Sequence, residues 1–349
     1  MSMALVRRKR SQSIRIVVGV GLLIPLLLLM NIAWGTVHIP IEKVFSILLG
    51  SDTSNVAWNN IVWMSRMPQS ITAMLAGAAL AACGLMMQTL FRNPLADPSI
   101  LGISTGANLG VAIMVLALNG SMVAGTVMGY TANILAAFVG ALAVLLIIMS
   151  LSAKIKNTAM LLIVGIMIGF MASSVISILN FYASKENIQI FVLWGLGDFS
   201  NVTWNEMPSF TVAAILGIAV ALMQIKPLNA LLLGENYASN LGVNVKRTRY
   251  TILMAAGLLI AGVTAFCGPI SFIGLAVPHV ARMLIGTSNH KTLLPVTILL
   301  GSVVALLCNL LTTLPGEGGI IPINAVTSML GAPVVIYVIF NRRKLQYFS

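Results

Sequence analysis

Residues 61–89 read IVWMSRMPQSITAMLAGAALAACGLMMQT, and residues 90–107 continue LFRNPLADPSILGISTGA. The first stretch has 29 residues and a single charge, Arg66. A helix needs about 20 mostly apolar residues to cross a bilayer, so this run reads as a span. Its excess length predicts tilt or an extension past the hydrocarbon. The second stretch breaks the run. Pro94 and Pro98 flank a polar turn, and a Gly-rich apolar segment follows. Asp97 stands where it would cap that segment, with Pro98 in the first turn. Span, tight polar turn and new span together define an all-α, polytopic membrane protein.

Read outward on the same criterion, the chain holds ten apolar segments, near 14–34, 61–89, 99–118, 122–150, 159–182, 207–225, 249–268, 271–286, 293–313 and 324–341. The eighth is short and opens after Gly268-Pro269. The first follows a basic cluster, Arg7 to Arg10, but its length, Pro25 and the lack of a small-residue cleavage site read as a retained helix. The loops are short, so 1–349 is one membrane domain, with its bundle over 14–341. Composition agrees. Of 349 residues 58% are apolar and 8% charged, against about 25% charged in soluble domains. That excludes a soluble enzyme and a disordered chain.

The formal charge of +12 comes from 20 Lys+Arg against 8 Asp+Glu. With the N-terminus in the cytoplasm and ten crossings, 17 of the 20 basic residues fall inside; only Lys43, Arg66 and Lys185 fall outside. Six of the eight acids fall outside. This asymmetry is the positive-inside pattern, and it places both termini in the cytoplasm. It accounts for the charge with anionic lipid headgroups as partner and without nucleic acid.

Two loops stand apart. The outer loop 35–60 is flanked by Trp34, Trp58 and Trp63, an interfacial aromatic belt. The inner loop 226–248 is too polar to span and too apolar to be a plain solvated loop. Asn229 reads as the cap of one short helix that Gly234 ends, and Glu235 to Leu241 as a second that stops at Gly242. The pair reads either as a docking surface for another protein or as an interfacial element lying on lipid. The outer segment 183–206 has room for a short surface helix. Gly102, Gly106 and Gly110 share one helix face, as do Gly165 and Gly169. Such faces serve close helix packing, or else line a path. Ala81-Ala-Cys-Gly84 resembles Ala265-Phe-Cys-Gly268 on a span of opposite direction, which points to an inverted repeat.

The sequence has no GxxxxGK[ST] phosphate loop, no HExxH and no catalytic constellation. Its spans are nearly free of charge, which speaks against a proton- or sodium-coupled transporter working alone. His279 follows Pro278, where it can satisfy backbone groups at a helix break. Cys83, Cys267 and Cys308 lie in apolar stretches and read as buried hydrophobes, with no metal-ligand spacing.

Five blocks carry a resemblance over about residues 14–341. They are Arg66-Met-Pro68 leading into Gly77–Gly84; Gln88 through Asn93-Pro94-Leu-Ala-Asp97-Pro98 to Gly102 and Gly106; Leu233-Gly234-Glu235 with Ala238 and Leu241-Gly242; Gly268 through Leu275 to Pro278-His279 and Arg282; and Glu317 and Pro322 with Gly331-Ala-Pro333. The chain resembles the FecCD-type permeases of ABC importers for iron–siderophore complexes, haem and cobalamin. The resemblance implies a ten-helix, cobalamin-importer-permease-like subunit. It implies pairing with a second permease, identical or paralogous, and a translocation path at their interface. It also implies two copies of a cytoplasmic ABC ATPase and an extracytoplasmic substrate-binding protein. ATP and Mg are then used by the ATPase, and this chain, itself no enzyme, binds no cofactor or metal. The coupling segment falls on Leu233, Gly234, Glu235, Ala238, Leu241 and Gly242. Asn93, Pro94, Asp97, Pro98, Gly102, Gly106, Pro278 and His279 are its gating and structural motif. Arg66 matches an outer-face cation that meets the binding protein. Gln69, Thr312 and Thr313 replace arginines that some relatives carry, so docking is expected to use fewer ion pairs, or Lys43 and Lys185.

Overall fold

The computed structural model describes residues 3–50, 55–118, 127–155, 157–314 and 319–340, with side chains described from residue 14 onward. Every regular element among them is helical. In chain order they are α1 (Met3–Ala33), α2 (Ile41–Leu48), α3 (Val56–Asn60), α4 (Met67–Leu90), α5 (Ile103–Ala112), α6 (Val127–Lys154), α7 (Thr158–Tyr182), α8 (Lys185–Gly195), α9 (Met207–Met223), α10 (Ile225–Leu232), α11 (Glu235–Asn240), α12 (Val245–Cys267), α13 (Ile273–Ile285), α14 (His290–Thr312) and α15 (Ile323–Phe340). Glu317, Lys156, Asp52 and the basic cluster at 342–344 lie outside the described residues.

Among the described residues, six helical stretches are long and apolar enough to span a bilayer. A seventh is α9 with α10, bent by 52°, and three shorter apolar helices run over 103–117, 273–285 and 323–338. These are the ten segments expected. The second is longer than its apolar core, because α3 and a π-helical turn (Ile61–Arg66) join α4 into one 35-residue stretch. The outer loop 35–60 holds α2, whose Val44 and Ile47 pack beneath Ile32, Ile39 and Val62 in a small core of their own. The outer helix expected within 183–206 is α8, capped by Ser184.

α4 is the axis of the bundle; 83% of its span is buried, against 17% for α7. Small residues allow this. A Cβ on Gly77 would run into the Gly301 carbonyl of α14, and one on Gly84 into the Gly274 carbonyl of α13. Gly106 and Gly110 do the same against Gly140 and Ala136 of α6. With no Cβ between them, backbones close to contact distance, and dispersion and lipid exclusion replace the missing hydrophobic drive. The glycine faces therefore serve helix packing.

The packing repeats. α4 lies on α14 as α12 lies on α6, α5 on α6 as α13 on α14, and α5 on α7 as α13 on α15. Two four-helix units, α4–α7 and α12–α15, thus exchange their first and third helices. The short matches 81–84 and 265–268 fall on the equivalent helices α4 and α12 but do different things there. Gly84 is a crossing point, whereas Gly268 (φ 72°) ends its helix against the Trp194 carbonyl.

Candidate functional site

The face expected to lie inside is built from the turn after α4 and from α10–α11. The turn is tight: Arg92 takes a left-handed φ of 47°, and Asn93 N–H donates to Gln88 O at 3.1 Å. Asn93 Oδ1 accepts from Leu95 N at 3.0 Å, and His279 Nε2 donates to Pro94 O at 2.8 Å. His279 is thus buried against the turn rather than against its own helix break. Asp97 only partly behaves as expected. It precedes a single 3₁₀ turn (Pro98–Leu101) without capping it, and its carboxylate accepts from Ser99 Oγ at 2.8 Å. Burial raises the Asp97 carboxyl above its ordinary range, and the Ser99 bonds work against that rise. Gly102, at φ 76°, then turns the chain into α5, so the Gly-rich helix starts at Ile103 and not at Pro98. Gly102 lies against Gly165 and Gly169 of α7, and Gly106 against α6.

The segment 225–242 has the two short helices expected, with one correction. α10 starts at Ile225, so Asn229 lies inside it rather than capping it. The earlier start follows from Gln224, whose carbonyl accepts Leu228 N–H at 2.8 Å as α9 bends into α10. Gly234 (φ 107°) and Gly242 (φ 80°) end α10 and α11 as read. Leu233, Tyr237 and Leu241 are more than half exposed, while Ala238 is buried. Glu235 holds the segment to the bundle: its carboxylate meets Arg249 Nη2 of α12 at 2.6 Å, and Arg249 Nη1 donates to Ile155 O at 3.1 Å. Between this segment, Arg92 and the start of α7 lies a cleft of about 780 Å³ lined by Asn157, Thr158, Glu235 and Asn236. The inner face therefore offers exposed apolar side chains beside a polar cleft, the mix that a protein partner can bury.

Arg66 is not on the outer surface. The π turn swings its side chain inward, where it is 6% exposed. Its guanidinium donates to Ile32 O and Ala33 O at 2.9 Å each, and to Val37 O. Gly35 leaves room for it. The outward docking cation expected at this position is thus the cap of α1's last carbonyls, which would otherwise be left without donors. Lys43 and Lys185 are exposed. Gln69 and Thr312 also turn inward. Gln69 Nε2 donates to Asn309 Oδ1 at 3.1 Å, Asn309 Nδ2 to Asn31 Oδ1 at 2.8 Å, and Asn31 Nδ2 to Leu306 O at 3.0 Å. Thr312 is buried with its hydroxyl on Asn309 O.

Several site-forming residues escaped the sequence reading. Gln88 accepts from Arg282 Nη1 at 2.7 Å and donates to Leu275 O at 3.1 Å, tying α4 to α13. Thr89 meets His290, and His290 meets Asn229. Along α7, Ser173, Ser174 and Ser177 are exposed among Met167, Phe170, Met171 and Ile178. A run of polar residues in a weakly buried span was the available signal. Among the described residues no group of His, Cys, Asp and Glu could hold a metal ion.

A bundle of apolar helices with small-residue crossings, a weakly buried span in α7 and two short surface helices on one face fits a multi-pass membrane permease. The sequence matches the FecCD transport family over residues 22–341, and the chain belongs to that family. It is 33% identical over 322 residues to the hemin transport system permease protein HmuU of Yersinia pestis, covering 91% of this chain and 95% of that one. It is 34% identical over 281 residues to the vitamin B12 import system permease protein BtuC of Salmonella typhi, covering 80% and 83%. Among solved structures it is similar to a metal-chelate-type ABC transporter in an inward-facing conformation, with a TM-score of 0.81, 26% identity, and 94% and 99% of the two chains covered.

Proposed function

We propose that this chain is the permease subunit of an ATP-driven importer of metal chelates, with ferric siderophores as cargo. Two permeases, identical or paralogous, enclose the path; two ATPases bind the inner face and use ATP and Mg; a binding protein delivers cargo outside. The chain sits in the inner membrane with both termini in the cytoplasm. The observation that carries this reading is the α10–α11 segment, whose exposed Leu233, Tyr237 and Leu241 flank a polar cleft on the face rich in basic residues. The least buried span, α7, supports it from the other side. Its exposed Met, Phe and Ser face carries no charge, which suits a bulky chelate passing between two subunits. ATP closure of the ATPase pair then favours one arrangement of the helices over the other.

The test is affinity purification of the tagged chain from its native membrane, followed by uptake in proteoliposomes. A co-purifying ATPase in near-equal amount and ATP-dependent uptake of a ferric siderophore are expected. A chain that purifies alone and transports without ATP would overturn the reading in favour of a stand-alone transporter. Haem or cobalamin is the second cargo reading, because the hemin and vitamin B12 permeases are similar over most of the chain. Competition among the three cargoes in the same vesicles decides between them.

A further inference from the structure

We propose that His290 is a positioning residue that makes coupling helix α10 and the inner end of α4 move as one body. Displacement of α10 would then reach the bundle axis through Asn229, His290 and Thr89. The inference rests on the importer reading for its purpose, but the linkage is read from geometry alone.

His290 is the first residue of α14 and is fully buried. Asn229 Oδ1, on α10, accepts its backbone N–H at 2.8 Å and lies 3.0 Å from its Nδ1. The Asn229 amide is oriented from its other end, where Nδ2 donates to Asn289 Oδ1 at 3.1 Å. An amide oxygen only accepts, so the ring carries its proton on Nδ1. Nε2 is then an acceptor, and it lies 2.8 Å from Thr89 Oγ1 on α4. Thr89 Oγ1 is also 2.9 Å from Leu85 O. The hydroxyl's one proton serves Leu85 O or, on rotation about Cβ–Oγ1, Nε2, which has no other donor among the described residues. One neutral tautomer thus links α10 to α4 through His290.

This chain differs from the contacts around it. Leu228 and Leu231 of α10 are buried by packing, and apolar packing tolerates sliding. Hydrogen bonds through a fully buried imidazole do not, because no water can replace them when they stretch. The residue before Thr89 extends the unit: Gln88 bonds Arg282 and Leu275 of α13. Thus α4, α13, α14 and α10 are pinned within two consecutive residues of α4. Coupling needs such a physically continuous element whose position both ends bias.

The experiment uses the complete complex in proteoliposomes and the permease alone in nanodiscs. His290→Phe keeps a planar ring, slightly larger, and removes both ring bonds. Asn229→Leu is isosteric and removes the acceptor, while Asn229→Asp keeps it. Uptake per ATP hydrolysed is expected to fall at least tenfold in His290→Phe and Asn229→Leu, with the ATPase still bound. Asn229→Asp is expected to recover at least half. A structural role alone would lower all three with yield and would not separate hydrolysis from uptake. In nanodiscs, spin labels at Lys226→Cys and Arg92→Cys are expected to give one narrow distance distribution, broadened by His290→Phe. Uptake per ATP within twofold of the unaltered chain overturns the proposal. If His290→Phe gives no monodisperse complex, the Asn229 pair decides on the same criterion. Failure of the unaltered complex to import with ATP sinks the importer reading instead; the nanodisc distances then decide the linkage, and equal widths overturn it.

Discussion

At the scale of single residues, Arg66 sets the clearest expectation. Its guanidinium satisfies three carbonyls at and beyond the end of α1. A charged donor to a carbonyl contributes about 1.5–3 kcal/mol, so Arg66→Ala should cost about 3 kcal/mol and lower the melting temperature in detergent. Arg66→Lys should recover only part, because a single ammonium cannot reach three acceptors in a fork. Unchanged melting in Arg66→Ala would refute the capping role. Glycines separate in the same way. Gly84→Ala places a methyl inside the Gly274 carbonyl and should cost about 3 kcal/mol, seen as loss of folded protein. Gly242→Ala meets open space and only a left-handed φ, so about 1 kcal/mol is expected. Asp97 gives a pH dependence. Its carboxyl is raised on folding, so the folded chain holds this proton more tightly than the unfolded one. Its contribution to stability is therefore greatest at low pH and declines as pH rises through the raised carboxylate range. Asp97→Asn should flatten that decline in a series of melting curves.

The residue scale is also where the sequence was least legible. Counting charges found Arg66 but not its direction, which the π turn reverses. The ties from Thr89 to His290 and from Gln88 to Arg282 join residues about 200 positions apart, and no local spacing announces them. The cysteine reading held: Cys83, Cys267 and Cys308 are free and buried.

At the scale of elements, legibility was high where one physical rule dominates. Apolar runs located the ten helical segments, three of them shorter than a full span, because an unsatisfied backbone in lipid leaves helices as the only open-chain solution. Glycines marked the ends of α10 and α11 because only glycine adopts their φ at no cost. Helix starts were less legible. α10 grows directly from the bend after α9, so Asn229 was freed to bond His290. α2 was missed because eight residues between aromatic flanks fall below any span criterion. The proposed docking role of α10–α11 yields its own prediction. Tyr237→Ser or Leu241→Ser should weaken ATPase binding about tenfold, or about 1.4 kcal/mol, with the permease's melting unchanged, because both side chains are exposed. Titration of solubilised permease with the ATPase checks it; equal affinity would remove α11 from the interface.

At the scale of the whole molecule, burial is lopsided. α4 is nearly enclosed, whereas α7, α1 and α6 are largely exposed, with α7 the barest of the long spans. If α7 lines the path, Ser174→Trp should cut uptake at least tenfold while ATPase binding stays intact. A cysteine at Ser173 should react with a water-soluble maleimide in the assembled complex. Protection of that thiol, together with normal uptake in Ser174→Trp, would assign α7 to lipid. The buried native thiols make the labelling clean without removing them.

The serines of α7 carry one more consequence. Ser174 Oγ donates to Phe170 O at 2.9 Å and Ser177 Oγ to Ser173 O at 3.0 Å, each within its own helix. No second chain is needed to satisfy them, so a newly inserted subunit can rest in the bilayer with this face against acyl chains. Biogenesis then imposes no order on the two halves. In the proposed pair either can be made first and wait for its mate, and if α7 lines the path, water reaches the serines only once the pair has formed.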